Sequence, residues 1–151
     1  MLRDVVMSDL ETFFRHQRDA SAAAMAVFAP RDWDTFISHW QNSVLGNPDG
    51  EVRTILVEQM VAGYVASWEQ DGRRLVAYWI GQEYWGRGIA ASALVAFLRD
   101  HEQRRPIHAW VAKTNARSIR VLEKSGFQRV GETASGPNGV VEELFRLAGA
   151  A

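Results

Sequence analysis

Tyr78-Trp79-Ile80-Gly81-Gln82-Glu83-Tyr84-Trp85-Gly86-Arg87-Gly88-Ile89-Ala90-Ala91 begins in aromatic and β-branched residues, crosses a short loop and enters an alanine-rich run. The pattern predicts a strand ending at Ile80, then a helix opening at Gly88. Gly86 and Gly88 let backbone amides approach a ligand without a Cβ in the way. The first turn of the helix adds N–H groups with no intrahelical acceptor and the positive end of the helix dipole. Together these features predict a phosphate cradle. A tight turn that needs glycine only for its dihedrals is the competing explanation of any isolated Gly-x-Gly.

Three phosphate-binding classes compete for this loop. A P-loop needs Gly-Lys-Ser/Thr at the helix start, and Gly88 is followed by Ile89, so nothing there can serve a γ-phosphate or Mg²⁺. A dinucleotide fingerprint is formally matched by Gly86-x-Gly88-x-x-Ala91. It requires an acidic ribose ligand about 20 residues on, where the chain has Pro106 and His108, and a second set of parallel strands for which the remaining residues leave no room. The third class emerges from the elements on either side.

Upstream, Leu2 to Val6 predicts a short strand, and Ser8 with Glu11 has capping-box spacing for a helix carrying Leu10, Phe13 and Phe14 inward. Asp32 caps a second helix whose Trp33, Phe36, Ile37, Trp40 and Val44 form one apolar stripe. Val52–Glu58, Val61–Trp68 and Arg74–Ile80 read as an antiparallel meander, the last two joined at the hairpin signal Asp71-Gly72. Downstream, Ile89–Leu98 predicts a helix with Leu94, Val95 and Leu98 inward, and Pro106 ends it before the strand Ile107–Val111. Asn115 caps a helix bearing Ile119 and Leu122, which Gly126 terminates. Two strands, Phe127–Glu132 and Val140–Leu147, follow around a turn at Ser135–Gly139. This order describes a mixed α+β architecture with one strand-helix-strand crossover.

Composition narrows the function. The chain has 151 residues, 47% of them hydrophobic, with 17 basic against 18 acidic side chains and a net charge of −1, so it offers no positive field for a polyanion and nucleic acid is not expected as a ligand. Cysteine is absent, which excludes thiolate chemistry and fits a cytoplasmic protein. No run approaches the roughly 20 apolar residues of a membrane helix, and the amino terminus does not read as a signal peptide. One domain over residues 1–151 is expected.

Trp85-Gly86-Arg87-Gly88-Ile89-Ala90 resembles the signature Gln/Arg-x-x-Gly-x-Gly/Ala of the GNAT acetyltransferase superfamily. Gly88 and Ala90 fill the last two defined places; Trp85 departs from the first. Tyr84-Trp85-Gly86-Arg87-Gly88 is similar to the Tyr-Trp-Gly-x-Gly of the branch of ribosomal-protein N-terminal (Rim-type) acetyltransferases. About 25 residues later, Asn115-Ala116-Arg117-Ser118 and Leu122-Glu123-Lys124-Ser125-Gly126-Phe127 resemble that branch's second signature. The resemblance is strong from Val52 to Leu147 and diffuse before it.

The resemblance implies the GNAT acyl-CoA N-acyltransferase fold: a mixed, mostly antiparallel sheet of six to seven strands flanked by about four helices, in which Arg74–Ile80 and Ile107–Val111 run parallel and splay apart. It implies acetyl-CoA as co-substrate without a metal, held by main-chain groups of Trp79 and Ile80 and by the loop Trp85, Gly86, Arg87, Gly88, Ile89 and Ala90, with Asn115 and Ser118 beside it. The implied activity is transfer of an acetyl group to a primary amine, on a peptide N-terminus or a small molecule, by direct attack in a ternary complex. A non-catalytic acyl-CoA-binding or interaction module on the same fold is the alternative, and a homodimer is left open. Ser118 is the candidate proton donor to the leaving thiolate, since the tyrosine that many family members use is replaced by Leu122. His108 is the candidate base, with Glu142 or Glu143 behind it and a water chain as competitor; the Glu some N-terminal acetylases use is Trp110 here. His16, His39 and His101 read as surface or packing residues, and Arg104-Arg105 as a solvated helix end.

Overall fold

The computed structural model describes residues 1–19, 31–136 and 139–149. Its strands are β1 (Leu2–Arg3), β2 (Glu51–Val57), β3 (Met60–Gln70), β4 (Arg73–Ile80), β5 (Ile107–Ala112), β6 (Gln128–Ser135) and β7 (Val141–Leu147). Its helices among the described residues are α1 (Asp9–Gln17), α2 (Trp33–His39, running on into a π turn over Trp40–Val44), α3 (Ile89–Asp100) and α4 (Ala116–Lys124). Turn chemistry sets the meander. Asp71 and Gly72 both take positive φ, 53° and 76°, the two left-handed residues of a tight hairpin turn. From there β3 and β4 pair without interruption, from Gln70 opposite Arg73 to Gly63 opposite Ile80.

The strands form one mixed sheet in the order β1-β2-β3-β4-β5-β7-β6. Every neighbouring pair is antiparallel except β4 and β5, which the α3 crossover makes parallel. That parallel pairing joins only Arg74 to Ile107 and Leu75 to His108. Beyond Leu75 the two strands part, which is the expected splay, and the edge of β4 from Val76 to Ile80 faces a gap.

Side-chain alternation along the sheet builds two cores. On one face Val65, Val76 and Ile80 pack with Leu94, Phe97 and Leu98 of α3 and Leu122 of α4. On the other, α1 and α2 bury Leu10, Phe13, Phe36 and Trp40, with Tyr64 packed against them. Val95 departs from expectation: it is exposed, and Ala93 and Phe97 take the inward positions beside Leu94 and Leu98. Val95→Ser is therefore expected to change unfolding free energy in urea by less than about 0.5 kcal/mol.

The helix α1 is not started by the predicted capping box. Ser8 has helical dihedrals and makes no side-chain cap bond. Asp9 does the work instead, buried and accepting from Val6 N–H at 3.0 Å, from Thr54 Oγ1 at 2.7 Å and from both terminal nitrogens of Arg3. Its carboxyl feels burial, which would raise its pKa, but these hydrogen bonds outweigh burial and hold it below the usual range. Asp32 and Asn115 cap α2 and α4 as read from the sequence, accepting from Thr35 N–H at 2.8 Å and Ser118 N–H at 3.1 Å. Gly126, with φ of 94°, follows α4 as its left-handed stop. The last two strands exchange places in space, β7 lying between β5 and β6. Of the turn between them, Pro137 and Asn138 lie outside the described residues.

Candidate active site

The gap beside β4 opens into a cleft of about 360 Å³. Its walls are the end of β4, the loop from Tyr84 to Gly88, the first turn of α3 and one face of α4. Gly86 and Gly88 have φ of 76° and 72°, and a Cβ built on either would meet no atom within 4 Å. The glycines thus serve left-handed backbone and leave open space where a ligand can approach. Gly88 caps α3 without any side-chain hydrogen bond, so the amides of the first turn point into the cleft mouth unserved by a capping side chain. That is a fit for a diphosphate.

Trp79, Ile80, Trp85, Gly86, Gly88, Ile89, Ala90, Asn115 and Ser118 all line the cleft. Arg87 does not: it is exposed, its guanidinium 5.8 Å from the Tyr84 ring. The cations on the cleft wall are Arg117, Arg120 and Lys124, which the sequence reading did not single out. They recur at three and four residues along α4, and that spacing was the available signal. Trp85, the departure from the family signature, donates its indole Nε1–H to the Ile80 carbonyl at 3.0 Å and lies under Arg117 at 4.6 Å. It ties the loop back to the strand end.

Main-chain direction on β4 follows from one bond. Gly81 N–H donates to the Ala62 carbonyl at 2.9 Å, and peptide groups alternate sides along an antiparallel strand. Trp79 therefore turns its main-chain groups toward β3, and Tyr78 and Ile80 turn theirs into the gap. The expectation placed the Trp79 main chain toward a ligand; this alternation instead gives that direction to Tyr78 and Ile80. Tyr78 was also missed. Its hydroxyl lies 2.7 Å from Ser118 Oγ, and burial pushes the phenol up to about 12 against the opposing Ser118 hydrogen bond, so it stays protonated at neutral pH. The two hydroxyls form a donor pair on the cleft wall, assembled by a strand and a helix 40 residues apart.

The proposed base is misplaced by the sequence reading. His108 pairs with Leu75 at the closed end of the split, five residues and roughly 16 Å below Ile80 at about 3.3 Å per residue. It is not on the cleft wall. Its Nδ1 is buried without a partner, and burial, with Arg73 and Arg146, holds it below its ordinary pKa. Glu143 is buried and paired with Arg129, and Glu142, raised by burial, lies at the β6–β7 end. Neither carboxylate lines the cleft.

A second cavity of about 370 Å³ lies on the opposite face of the sheet, under α1 and α2. Ala77 and Trp79 of β4 reach it, while Tyr78, Ile80 and again Trp79 border the first cleft. His39, read as a packing residue, stands on its wall. His16 is buried beneath Gly81, where a Cβ would come within 2.6 Å of its Nε2, and that nitrogen lies 3.4 Å from Glu83, so α1 braces the loop. Among the described residues no cluster of His, Asp or Glu could hold a metal ion, and no helix is long and apolar enough to cross a membrane.

A sheet split at its parallel pair, with a glycine-lined helix start at the mouth of the split, defines an acyltransferase fold. Residues 1–128 match the model of the acetyltransferase (GNAT) domain, and the chain belongs to that family. The match reaches the first strand and helices, where the signatures alone were diffuse. A spermidine N-acetyltransferase from Vibrio cholerae, in complex with coenzyme A and spermine, superposes with TM-score 0.80 at 14% identity over 98% of this chain and 94% of that one. A ribosomal-protein-alanine N-acetyltransferase from Brucella melitensis gives TM-score 0.80 at 17% identity, covering 98% and 99%. An aminoglycoside acetyltransferase in complex with coenzyme A gives 0.79 at 21%, covering 98% and 94%. These likenesses establish the fold. No curated protein sequence matches the chain.

Proposed function

We propose that residues 1–151 act as one N-acetyltransferase domain that carries an acetyl group from acetyl-CoA to a primary amine in a ternary complex, within the cytoplasm. The observation that carries this reading is that β4 lines one cavity with Tyr78, Trp79 and Ile80 and the other with Ala77 and Trp79, so the two cavities adjoin at Trp79 and two substrates can meet at the open edge of β4. The amides from Gly88 to Ala91, with Arg117, Arg120 and Lys124, hold the diphosphate end. The main-chain groups of Tyr78 and the N–H of Ile80, whose carbonyl is taken by Trp85, orient the arm that follows. Bound acetyl-CoA supplies the activated acyl carbon. With no cysteine in the chain, attack by the amine itself is the simplest chemistry, and the protein acts by positioning and by donors fixed in advance. The two signatures support descent close to the Rim-type branch.

A thermal-shift series tests the reading: acetyl-CoA and CoA are expected to raise the melting temperature, and NAD and ATP to leave it unchanged. Stabilisation by NAD or ATP alone would overturn it.

The Tyr78–Ser118 pair is the proposed proton source for the departing thiolate. Tyr78→Phe and Ser118→Ala are each expected to lower kcat by about tenfold or more with acetyl-CoA affinity within about twofold of the parent. For the amine's own proton, His39 replaces His108 as our candidate acceptor. Burial, and then Arg31, hold its pKa below the ordinary value, so it is neutral at pH 7 and able to take a proton. The acidic limb of kcat/KM is expected below the ordinary histidine range, and His39→Gln to remove that limb, whereas His108→Ala leaves it in place.

A further inference from the structure

The second cavity has a floor of two alanines. Ala66 of β3 faces Ala77 of β4 across the pair, and both line the cavity. Tyr64, opposite Trp79, stands at one end of this floor and Trp68 at the other. Tyr64 and Trp68 are separated by four residues, roughly 13 Å of strand, with only the small alanines between. Trp40 closes over the first end, its ring edge-on to Tyr64 with centroids 4.7 Å apart. The π turn at the end of α2, where Leu45 N–H bonds the Trp40 carbonyl at 2.7 Å, carries Trp40 into this position. The result is a slot with aromatic ends and a small-residue floor, opening along β4 beside Trp79.

Charge sharpens the choice of occupant. Among the described lining residues Glu51 is the one carboxylate, and Arg31 and His39 share the walls with it. Residues 20–30 contain no acidic residue to add. An acceptor with several ammonium groups needs several carboxylates to replace its water; a wall with one carboxylate and one guanidinium has no net negative field to offer. A single amine carried on an aromatic body asks only for apolar contact and ring-edge complementarity, which the slot supplies.

We propose that the acceptor is a compact primary monoamine built on one aromatic ring, an arylalkylamine, with its ring on the Ala66–Ala77 floor and its amine toward the gap beside Trp79. The proposal rests on the reading of the first cleft as the acetyl-CoA site. It separates this chain from its structural relatives named for spermidine and aminoglycosides, although the fold is shared.

Direct titration with acetyl-CoA comes first; failure to bind would sink the donor site and with it this proposal, and is seen without any acceptor. Given binding, CoA release is measured with 2-phenylethylamine, tyramine, spermine, an aminoglycoside and short peptides. The arylalkylamines are expected to exceed the others in kcat/KM by on the order of a hundredfold. Ala77 is exposed on the floor, so Ala77→Leu fills the slot without touching the core. It is expected to raise the KM for the arylalkylamine by about tenfold or more and to leave acetyl-CoA affinity unchanged. Preference for spermine, the aminoglycoside or a peptide, silence with every acceptor, or an unchanged KM in Ala77→Leu would overturn the proposal while leaving the donor site standing.

Discussion

Gly88→Val is expected to weaken acetyl-CoA binding by about a hundredfold or more, equivalent to roughly 2.7 kcal/mol, and to lower the melting temperature by only about 2–8 °C. Gly88 sits at φ of 72°, where a non-glycine residue costs about 1–2 kcal/mol and a β-branched one more. No atom lies within 4 Å of the added Cβ, so the fold itself has nothing to displace. The loss falls on binding for two reasons. The new methyl groups occupy the space through which a diphosphate reaches the amides of α3. Relief of the left-handed strain also turns those amides away, and charge-assisted bonds to them contribute about 1.5–3 kcal/mol each. Gly72→Val is the control, because Gly72 has a similar φ of 76° and similar open space but lies in the β3–β4 turn. It should share the stability loss and keep full affinity, as read by calorimetric titration. Equal affinity in Gly88→Val and the parent would remove the loop from the donor site.

Local chemistry explains what was legible beforehand. The Asp71-Gly72 turn, the Asn115 cap, the Gly126 stop and the glycines at Gly86 and Gly88 depend on dihedrals and hydrogen bonds within a few residues, and a sequence displays those directly. The crossover between the two strands was visible in the strand-helix-strand order, while their splay was implied only by the resemblance to the GNAT family. Legibility stopped where function depends on meeting across the fold. Tyr78 reads as a strand aromatic until α4 brings Ser118 to its hydroxyl. His108 reads as facing the slot until pairing shows that β4 and β5 separate above it, so the alternation that placed it on the right face said nothing about its height along the strand. Val95 was misassigned because the Ala-rich run of α3 allows several adjacent apolar stripes, and packing against the sheet selects the one through Ala93 and Phe97. The second cavity was invisible for a similar reason. Ala66 and Ala77 are unremarkable in the chain and become a floor only when β3 and β4 pair in that register.

Glu102→Gln is expected to destabilise the fold by about 3 kcal/mol, at the lower end for loss of one partner from a buried ion pair. The sequence suggests that Arg104-Arg105 is a solvated helix end, and Arg104 is indeed exposed, but Arg105 donates to the carbonyls of Leu98 and Glu102 at 2.9 and 2.8 Å and Arg104 reaches Glu102 Oε2 at 3.0 Å. Glu102 itself is buried and accepts from Arg74 Nε at 2.7 Å and Ser67 Oγ at 2.6 Å. Burial would raise its pKa, yet the bonds from Ser67, Arg104 and Arg74 outweigh burial and hold it below the usual carboxylate range. A group depressed in the folded state contributes fully above its unfolded pKa of about 4.3 and loses that contribution as pH falls through the folded value. The parent's unfolding free energy should therefore fall on acidification below about pH 4.3, and that of Glu102→Gln should fall less steeply, by the one proton it no longer binds. Arg74→Met should be as damaging as Glu102→Gln, because it leaves the buried carboxylate without its buried guanidinium, held only by Ser67 and the exposed Arg104. The double variant Arg74→Met/Glu102→Leu should recover much of the loss, since no unpaired charge remains. Equal stability of all three variants at pH 7 would show that the cluster is not coupled. Ser67, Arg74 and Glu102 come from β3, β4 and the segment leading into β5, so the cluster fastens the closed end of the split, where Arg74 also pairs with Ile107.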